Sequence, residues 1–181
     1  MTSFGWVVAT SLSAMAATGA AFVNPPLKLI WNASASVPVG LYALRPIGAL
    51  DDTELVADMP PEPTASLLAD GGYLPRGVPL MKRVLGLPGQ TVCRDGVSIT
   101  IDHVEVGEAQ ARDRRGRNLP TWQGCRTLRL GEVFLMNPGV PDSLDGRYFG
   151  PLPASSIIGS AAPLWTDEEG DGRFVWRAAT Q

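Results

Sequence analysis

Histidine is almost absent: of 181 residues, only His103 carries an imidazole. Zinc sites built on paired histidines are therefore excluded, and a Ser-His-Asp triad would have to use that one residue. Cysteine is scarce too, with Cys93 and Cys125 alone, and their separation is not the C-x-x-C of a redox or zinc motif. Lys and Arg number 15 against 18 Asp and Glu, and no long basic run interleaves with aromatics. Nucleic acid is thus not expected as a partner. Internal repeats and low-complexity tracts are also missing, and 45% hydrophobic residues suffice for one folded domain with a buried core. Hydrolytic chemistry in this chain is expected to do without histidine.

What is present is uneven. Phe4 to Val23 runs without a charge, about the length a helix needs to cross ~30 Å of hydrocarbon. Residues 1–27 are therefore expected to be a membrane anchor, with Trp6 and Trp31 at the two interfaces. A cleaved signal segment ending near Ala14-Met15-Ala16 is the alternative, although no Lys or Arg precedes the apolar run; a buried helix of a soluble domain is a third reading. Residues 28–181 then form the second unit. Cys93 and Cys125 fit a structural disulfide if that unit is exported, or else two buried free thiols.

Glycine and proline punctuate a series of short apolar segments. Strands are expected at Gly40–Leu44, Thr53–Ala57, Pro79–Leu85, Gln90–Cys93 and Val97–Ile101, the last two joined by an Asp95-Gly96 turn. Others fit Val104–Val106, Thr127–Leu130, Glu132–Met136 and Ser156–Leu164, with a short helix over Thr64–Asp70 ended by Gly71-Gly72. The fold class is mainly β: a curved antiparallel domain behind an N-terminal transmembrane helix. The arginine-rich Arg112–Arg117 reads as a solvated loop, or a docking or lipid-headgroup patch, and Asp167–Asp171 as a turn without EF-hand spacing. Asn32-Ala33-Ser34 satisfies the short glycosylation sequon.

Three segments carry chemistry. In Asn32–Tyr42, small hydroxyl residues meet a proline and a glycine in a non-helical stretch. In Pro79–Gly89, Lys82 interrupts an apolar strand; adjacent Lys82 and Arg83 point to opposite faces, so one of them meets apolar neighbours. In Pro141–Pro151, Asp145 and Arg147 stand two apart and share a face if extended, as a structural salt bridge or as part of a site.

In this order the segments resemble the type I signal peptidases, and more closely the conjugative-transfer, TraF-type branch. Ser36-Val37-Pro38-Val39-Gly40-Leu41-Tyr42 is similar to that branch's nucleophile box. Lys82-Arg83-Val84 with Gly86-Leu87-Pro88-Gly89 resembles the lysine box of the whole family. Ser143-Leu144-Asp145-Gly146-Arg147-Tyr148-Phe149-Gly150 resembles its C-terminal box, led in by Gly131–Asn137, and Cys93 and Cys125 are similar to cysteines of TraF-type members.

The resemblance implies a Ser-Lys dyad without cofactor or metal: Ser36 as nucleophile, Lys82 as general base, the Ser36 amide and the Ser34 hydroxyl as oxyanion donors, Ser143 orienting Lys82, and Asp145 either pairing with Arg147 to fix its loop or taking part in the activity. The chemistry makes one demand of its own. Only a neutral lysine is a base, and at a reference pKa of about 10.4 roughly one in a thousand is neutral at pH 7, so Lys82 has to be desolvated. The resemblance further implies a bacterial inner-membrane enzyme with its catalytic domain in the periplasm, a conjugative propilin as substrate, the membrane and the type IV secretion or mating-pair apparatus as partners, and an acyl-enzyme resolved by water or by an amine. A general signal peptidase and an inert scaffold module of a secretion apparatus are the alternatives.

Overall fold

The computed structural model describes residues 3–20 and 27–178. Its elements in chain order are α1 (Ser3–Ala20), β1 (Leu29–Asn32), β2 (Val39–Arg45), β3 (Leu55–Asp58), α2 (Thr64–Asp70), β4 (Leu80–Gly86), β5 (Thr91–Asp95), β6 (Ser98–Ile101), β7 (Val104–Glu108), β8 (Gly124–Thr127), β9 (Glu132–Met136), α3 (Gly146–Phe149), β10 (Leu152–Pro153), β11 (Ile157–Asp167) and β12 (Val175–Trp176). The domain is mainly β, as expected. One sheet runs β1-β2-β11-β3-β4-β9-β10, with β12 on β11, and a second runs β7-β6-β5-β8; the ladders are antiparallel.

The expected transmembrane helix is not borne out. A helix does form over Ser3–Ala20, but no helix among the described residues is long and apolar enough to cross a membrane. Its 18 residues rise only ~27 Å at ~1.5 Å each, and Ser3, Gly5, Thr10, Ser11, Ser13, Thr18 and Gly19 dilute its apolar character. Thr10, Ser13 and Thr18 turn their hydroxyls back onto the carbonyls of Trp6, Ala9 and Ala14 at 2.8–2.9 Å. The soluble-core alternative is not met either, because Phe4, Trp6, Leu12 and Met15 are exposed. Residues 21–23 of the expected span lie outside the described residues. Trp31, read as an interfacial anchor, lies on β1 and stacks on Phe174 with ring centroids 6.0 Å apart.

The core is organised by β9. Its run Val133-Phe134-Leu135-Met136 is buried throughout: Val133 and Leu135 pack with Val56, Val84, Leu152 and Ile157, whereas Phe134 and Met136 pack with Val92, Ile99, Ile101 and Leu128. A strand covered on both faces reads as a continuous apolar run rather than an alternating one. β9 thereby joins the two sheets, and the residue that follows it, Asn137, is itself buried. A third cluster, Val37, Tyr42, Leu55, Met81 and Ala161, lies under the loop that carries Ser36.

Two expected segments shift. β8 covers Gly124–Thr127 rather than Thr127–Leu130, because Cys125 pairs directly with Cys93 on β5, while Leu128 dives into the core and Leu130 is 96% exposed. Asp145 and Arg147 are not in a strand: α3 starts there as a single helical turn. His103 is exposed with positive φ, in the two-residue turn it forms with Asp102 between β6 and β7.

Cys93 and Cys125 form a disulfide that closes a sequence separation of 32 residues. By the chain-entropy estimate it contributes about 3–4 kcal/mol by restricting the unfolded chain. Replacing both cysteines by serine is expected to lower the unfolding free energy by about that amount in urea titrations; an unchanged midpoint and slope would refute it.

Candidate active site

Ser36 lies in the loop 33–38 that joins the antiparallel pair β1 and β2, whose register sets Asn32 opposite Gly40. The loop is held from inside by Asn32, which is 7% exposed. Its amide nitrogen donates to the carbonyls of Ser34 (2.7 Å), Val37 (3.0 Å) and Pro38 (3.1 Å), and its Oδ1 accepts from the Ser34 amide and hydroxyl. Tyr42 adds a bond from its hydroxyl to the Pro38 carbonyl, 2.7 Å. The Asn32 side chain is thus fully used in folding the loop, which leaves no free amide for the sequon. Gly40 permits the return strand: a Cβ there would stand 2.2 Å from the Trp165 carbonyl oxygen.

Ser34 and Ser36 join their hydroxyls at 3.0 Å, with Ser34 exposed and Ser36 half-buried. Among the described residues the Ser36 hydroxyl bonds to Ser34 and not to the Lys82 amine. Beside Ser36 a cleft of about 400 Å³ opens, walled by Val37, Val39, Arg83, Asn137, Val140 and Glu168.

Lys82 is 3% exposed in the middle of β4. It pairs with Val56 of β3 and shares that face with Val84, so of the two adjacent bases Lys82 meets the apolar core while Arg83 borders the cleft. Burial pulls the Lys82 pKa from 10.5 down to about 8; the Asp145 charge opposes the shift, Arg147 assists it, and Asp58 opposes it. None of the ion pairs found among the described residues uses Lys82.

The third segment is a knot around the Arg147 guanidinium, 1% exposed. Asp145 caps α3 by accepting from the Arg147 amide, and its carboxylate takes two side-chain bonds from Arg147, each 2.9 Å. The remaining donors reach the carbonyls of Val140 (2.7 Å), Ser143 (3.1 Å) and Glu108 (3.3 Å). Gly146 lets the turn lie on β9, since a Cβ there would meet the Phe134 ring at 2.6 Å and the Leu135 carbonyl at 2.8 Å. Ser143 is buried, and its hydroxyl has no hydrogen-bond partner. Cys93 and Cys125 hold β5 to β8 in the second sheet, outside the serine loop.

Asn137 was not singled out as a site residue by the sequence, yet it joins all three segments. Its Nδ2 donates to the Ser36 carbonyl at 2.8 Å and to the Met81 carbonyl at 3.2 Å. Its Oδ1 accepts from the Arg83 amide at 3.1 Å, and its own amide donates to Asp145 Oδ2 at 3.1 Å. Both chain neighbours of Lys82 are therefore bonded to the side chain that also holds Ser36. The one signal in the sequence is a polar residue directly after the apolar run Val133–Met136.

The arginine-rich loop is partly engaged rather than simply solvated: Arg117 pairs with Asp113 and lies 4.4 Å over the Tyr73 ring, and Arg114 pairs with Asp142. Asp167 accepts from the amides of Asp171 and Gly172, forming the expected turn.

These charges set opposite stabilities. Arg147→Met is expected to cost about 3–5 kcal/mol, because it strands the Asp145 carboxylate in the core. Lys82→Met is expected to stabilise the fold by up to about 3–4 kcal/mol at pH 7, from a shift of about 10.5 to 8 at ~1.4 kcal/mol per unit. The sign follows from proton uptake: between about pH 8 and 10.5 the unfolded lysine holds more protons than the folded one, so wild-type stability rises with pH across that window. Chemical denaturation of both variants and wild type at pH 7 and 10 reads these differences; destabilisation by Lys82→Met would refute the burial penalty.

The sequence matches the family described as "Signal peptidase, peptidase S26" over residues 1–165. It is 33% identical over 147 residues to "Plasmid transfer protein TraF" of Escherichia coli, covering 78% of each chain. It is 35% identical over 149 residues to "Conjugal transfer protein TraF" of Agrobacterium fabrum, covering 75% of this chain and 81% of that one. To "Probable conjugal transfer protein TraF" of Sinorhizobium fredii the identity is 36% over 148 residues, with 75% and 76% covered. Among solved structures, a signal peptidase I from Enterococcus faecalis V583 aligns with a TM-score of 0.39 at 23% identity, covering 63% of this chain and 97% of that one. With its match running through the serine loop, the lysine strand and the Arg147 knot, the chain belongs to the peptidase S26 family of signal peptidases.

Proposed function

We propose that this peptidase is a serine endopeptidase whose nucleophile is Ser36 and whose general base is Lys82, and that it matures a propilin for conjugative transfer. One observation carries the reading. A lysine buried in an apolar strand, with its pKa near 8, stands one residue from carbonyl and amide groups bonded to the side chain that holds the Ser36 carbonyl. At pH 7 about a tenth of such lysines are neutral, roughly three hundredfold more than of a solvated lysine.

In the reaction, neutral Lys82 takes the Ser36 hydroxyl proton as Oγ bonds the scissile carbonyl carbon. The amide NH of Ser36 and the Ser34 hydroxyl receive the developing oxyanion. As the C–N bond breaks, Lys82 returns the proton to the leaving amine, and an ester to Ser36 remains. Ser143, whose buried hydroxyl has no other partner, is the group left to orient the Lys82 amine during the reaction. Asp145 and Arg147 fix the Asn137 backbone beside both. Water or an amine then resolves the ester; an amine supplied by the substrate's own N-terminus would give a cyclic product.

The conjugative substrate is supported by the TraF names of the relatives, which also make a mating-pair secretion apparatus the natural partner. Export of the peptidase domain, residues 28–181, to an oxidising periplasm is supported by the Cys93–Cys125 bond. A general signal peptidase acting on many exported proteins is the competing reading.

With full-length enzyme and a synthetic propilin, Ser36→Ala is expected to abolish cleavage and Lys82→Ala to slow it by ~10²–10⁴-fold, with the fold intact by circular dichroism. The wild-type rate rises with pH to a plateau above about 8, as the Lys82 ammonium loses its proton. A rate independent of pH between about 6 and 9 would remove Lys82 from the base role. Equal turnover of an ordinary secretory precursor would favour the general peptidase, and a product one water lighter than the linear chain would identify resolution by an amine.

A further inference from the structure

A second buried carboxylate faces Lys82. Asp58, the last residue of β3, is 0% exposed. In the β3–β4 ladder Val56 lies opposite Lys82 and Asp58 opposite Leu80, so Asp58 is one diagonal step from Lys82 on the same face. Such neighbours have Cα atoms ~7–8 Å apart, within reach of a lysine side chain. One Asp58 oxygen accepts from the Ser156 hydroxyl at 2.5 Å; the other, Oδ2, is buried with no partner. Burial pushes its carboxyl above the usual carboxylate range, opposed by the Ser156 bond and the Lys82 charge.

The charged groups that bear on Lys82 are, in falling order, Asp145 and Arg147 from the segment after β9 and Asp58 from β3. Asp145 weighs most among these charges, but it is held by two bonds from Arg147, whose charge acts on Lys82 in the opposite sense. Asp58 has no such cation: among the described residues it joins no ion pair, and its Oδ2 is without a hydrogen-bond partner. A lone buried carboxylate and a lone buried lysine on one face can each serve as the other's counter-charge.

We propose that Asp58 is a positioning residue for the dyad, the fixed counter-charge that orients Lys82 and stabilises the ammonium formed when the Ser36 proton reaches it. This rests on the Ser36–Lys82 reading. Asp58 takes no proton in the step: the proton moves from Ser36 Oγ to Lys82 Nζ, positive charge appears beside the carboxylate, and it disappears when the leaving amine is protonated. The pairing raises the lysine's basicity while reducing the share that is neutral. It holds the ammonium partly populated at rest, and in exchange it lowers the barrier to forming that ammonium during acylation.

The test uses full-length protein and two readouts. The Lys82 Nζ is followed by nitrogen NMR titration, and kcat and KM are measured against pH with a propilin peptide. In Asp58→Asn, which keeps an acceptor for Ser156, the Lys82 midpoint is expected to fall from about 8 by ~1 unit. The acid limb of kcat/KM moves down with it, while the plateau kcat drops ~10-fold and KM holds. A packing defect alone would lower activity without moving the midpoint. Coupling is reciprocal, so in Lys82→Met the Asp58 carboxyl midpoint must rise by the same amount, an arm that stands even if Asp58→Asn does not fold. An unmoved midpoint in either variant overturns the proposal. Retained cleavage by Lys82→Met would instead defeat the dyad, whatever the titrations show.

Discussion

The buried Arg147 guanidinium is the contact on which the rest of the site hangs. Its donors leave almost no freedom to the segment from Asn137 to Asp145, since they hold the carbonyls of Val140 and Ser143 together with the Asp145 carboxylate. Asp145 in turn accepts from the Asn137 amide, and the Asn137 side chain holds Ser36 and both neighbours of Lys82. A planar, permanently charged fork suits this task, because several directed bonds can leave one rigid group. A lysine at position 147 would offer a compact charge and too few directions.

Such a site is costly to fold. Lys82, Asp58, Asp145 and Arg147 are each at most 3% exposed, and in a low-dielectric interior charges are tolerated only when paired or neutralised. Arg147 and Asp145 are paired by short bonds, whereas Lys82 is accommodated by a lowered pKa. The contrast separates scaffold from chemistry. The Arg147–Asp145 pair fixes geometry, and the amine of Lys82 is the group whose charge burial disfavours. The apolar β9, covered on both faces, supplies the rigid floor, and the Asn32 bonds supply the rigid loop, so that little of the geometry is left to solvent.

Much of this was legible in the chain. The helix Thr64–Asp70 and the strand Glu132–Met136 fall where composition and punctuation put them, because local propensity and burial agree there. The segments containing Ser36, Lys82 and Asp145 stood out as chemistry-bearing, because a hydroxyl loop, a lysine in an apolar strand and a closely spaced ion pair are local oddities. β8 was misplaced because its register is set by Cys93 on another strand. The one-turn α3 was missed because its start depends on a carboxylate capping a chain already held by Arg147. The expected transmembrane helix differs in degree: the described helix Ser3–Ala20 is uncharged, but its serines, threonines and glycines leave it not apolar and long enough to cross a bilayer.

By itself the sequence determined which residues have the chemistry to act, because residue type and alternation along a strand are local properties. Scarce histidine steered the reading toward an amine base, and the position of Lys82 within an apolar strand foretold its desolvation. Only the tertiary structure decided which groups meet. Asn137 bridges residues 101 and 56 positions away, and Asp58 reaches the face of Lys82 through strand register. Neither relation has a trace in local pattern, since a hydrogen bond or a counter-charge depends on distance in space, and packing alone sets that distance.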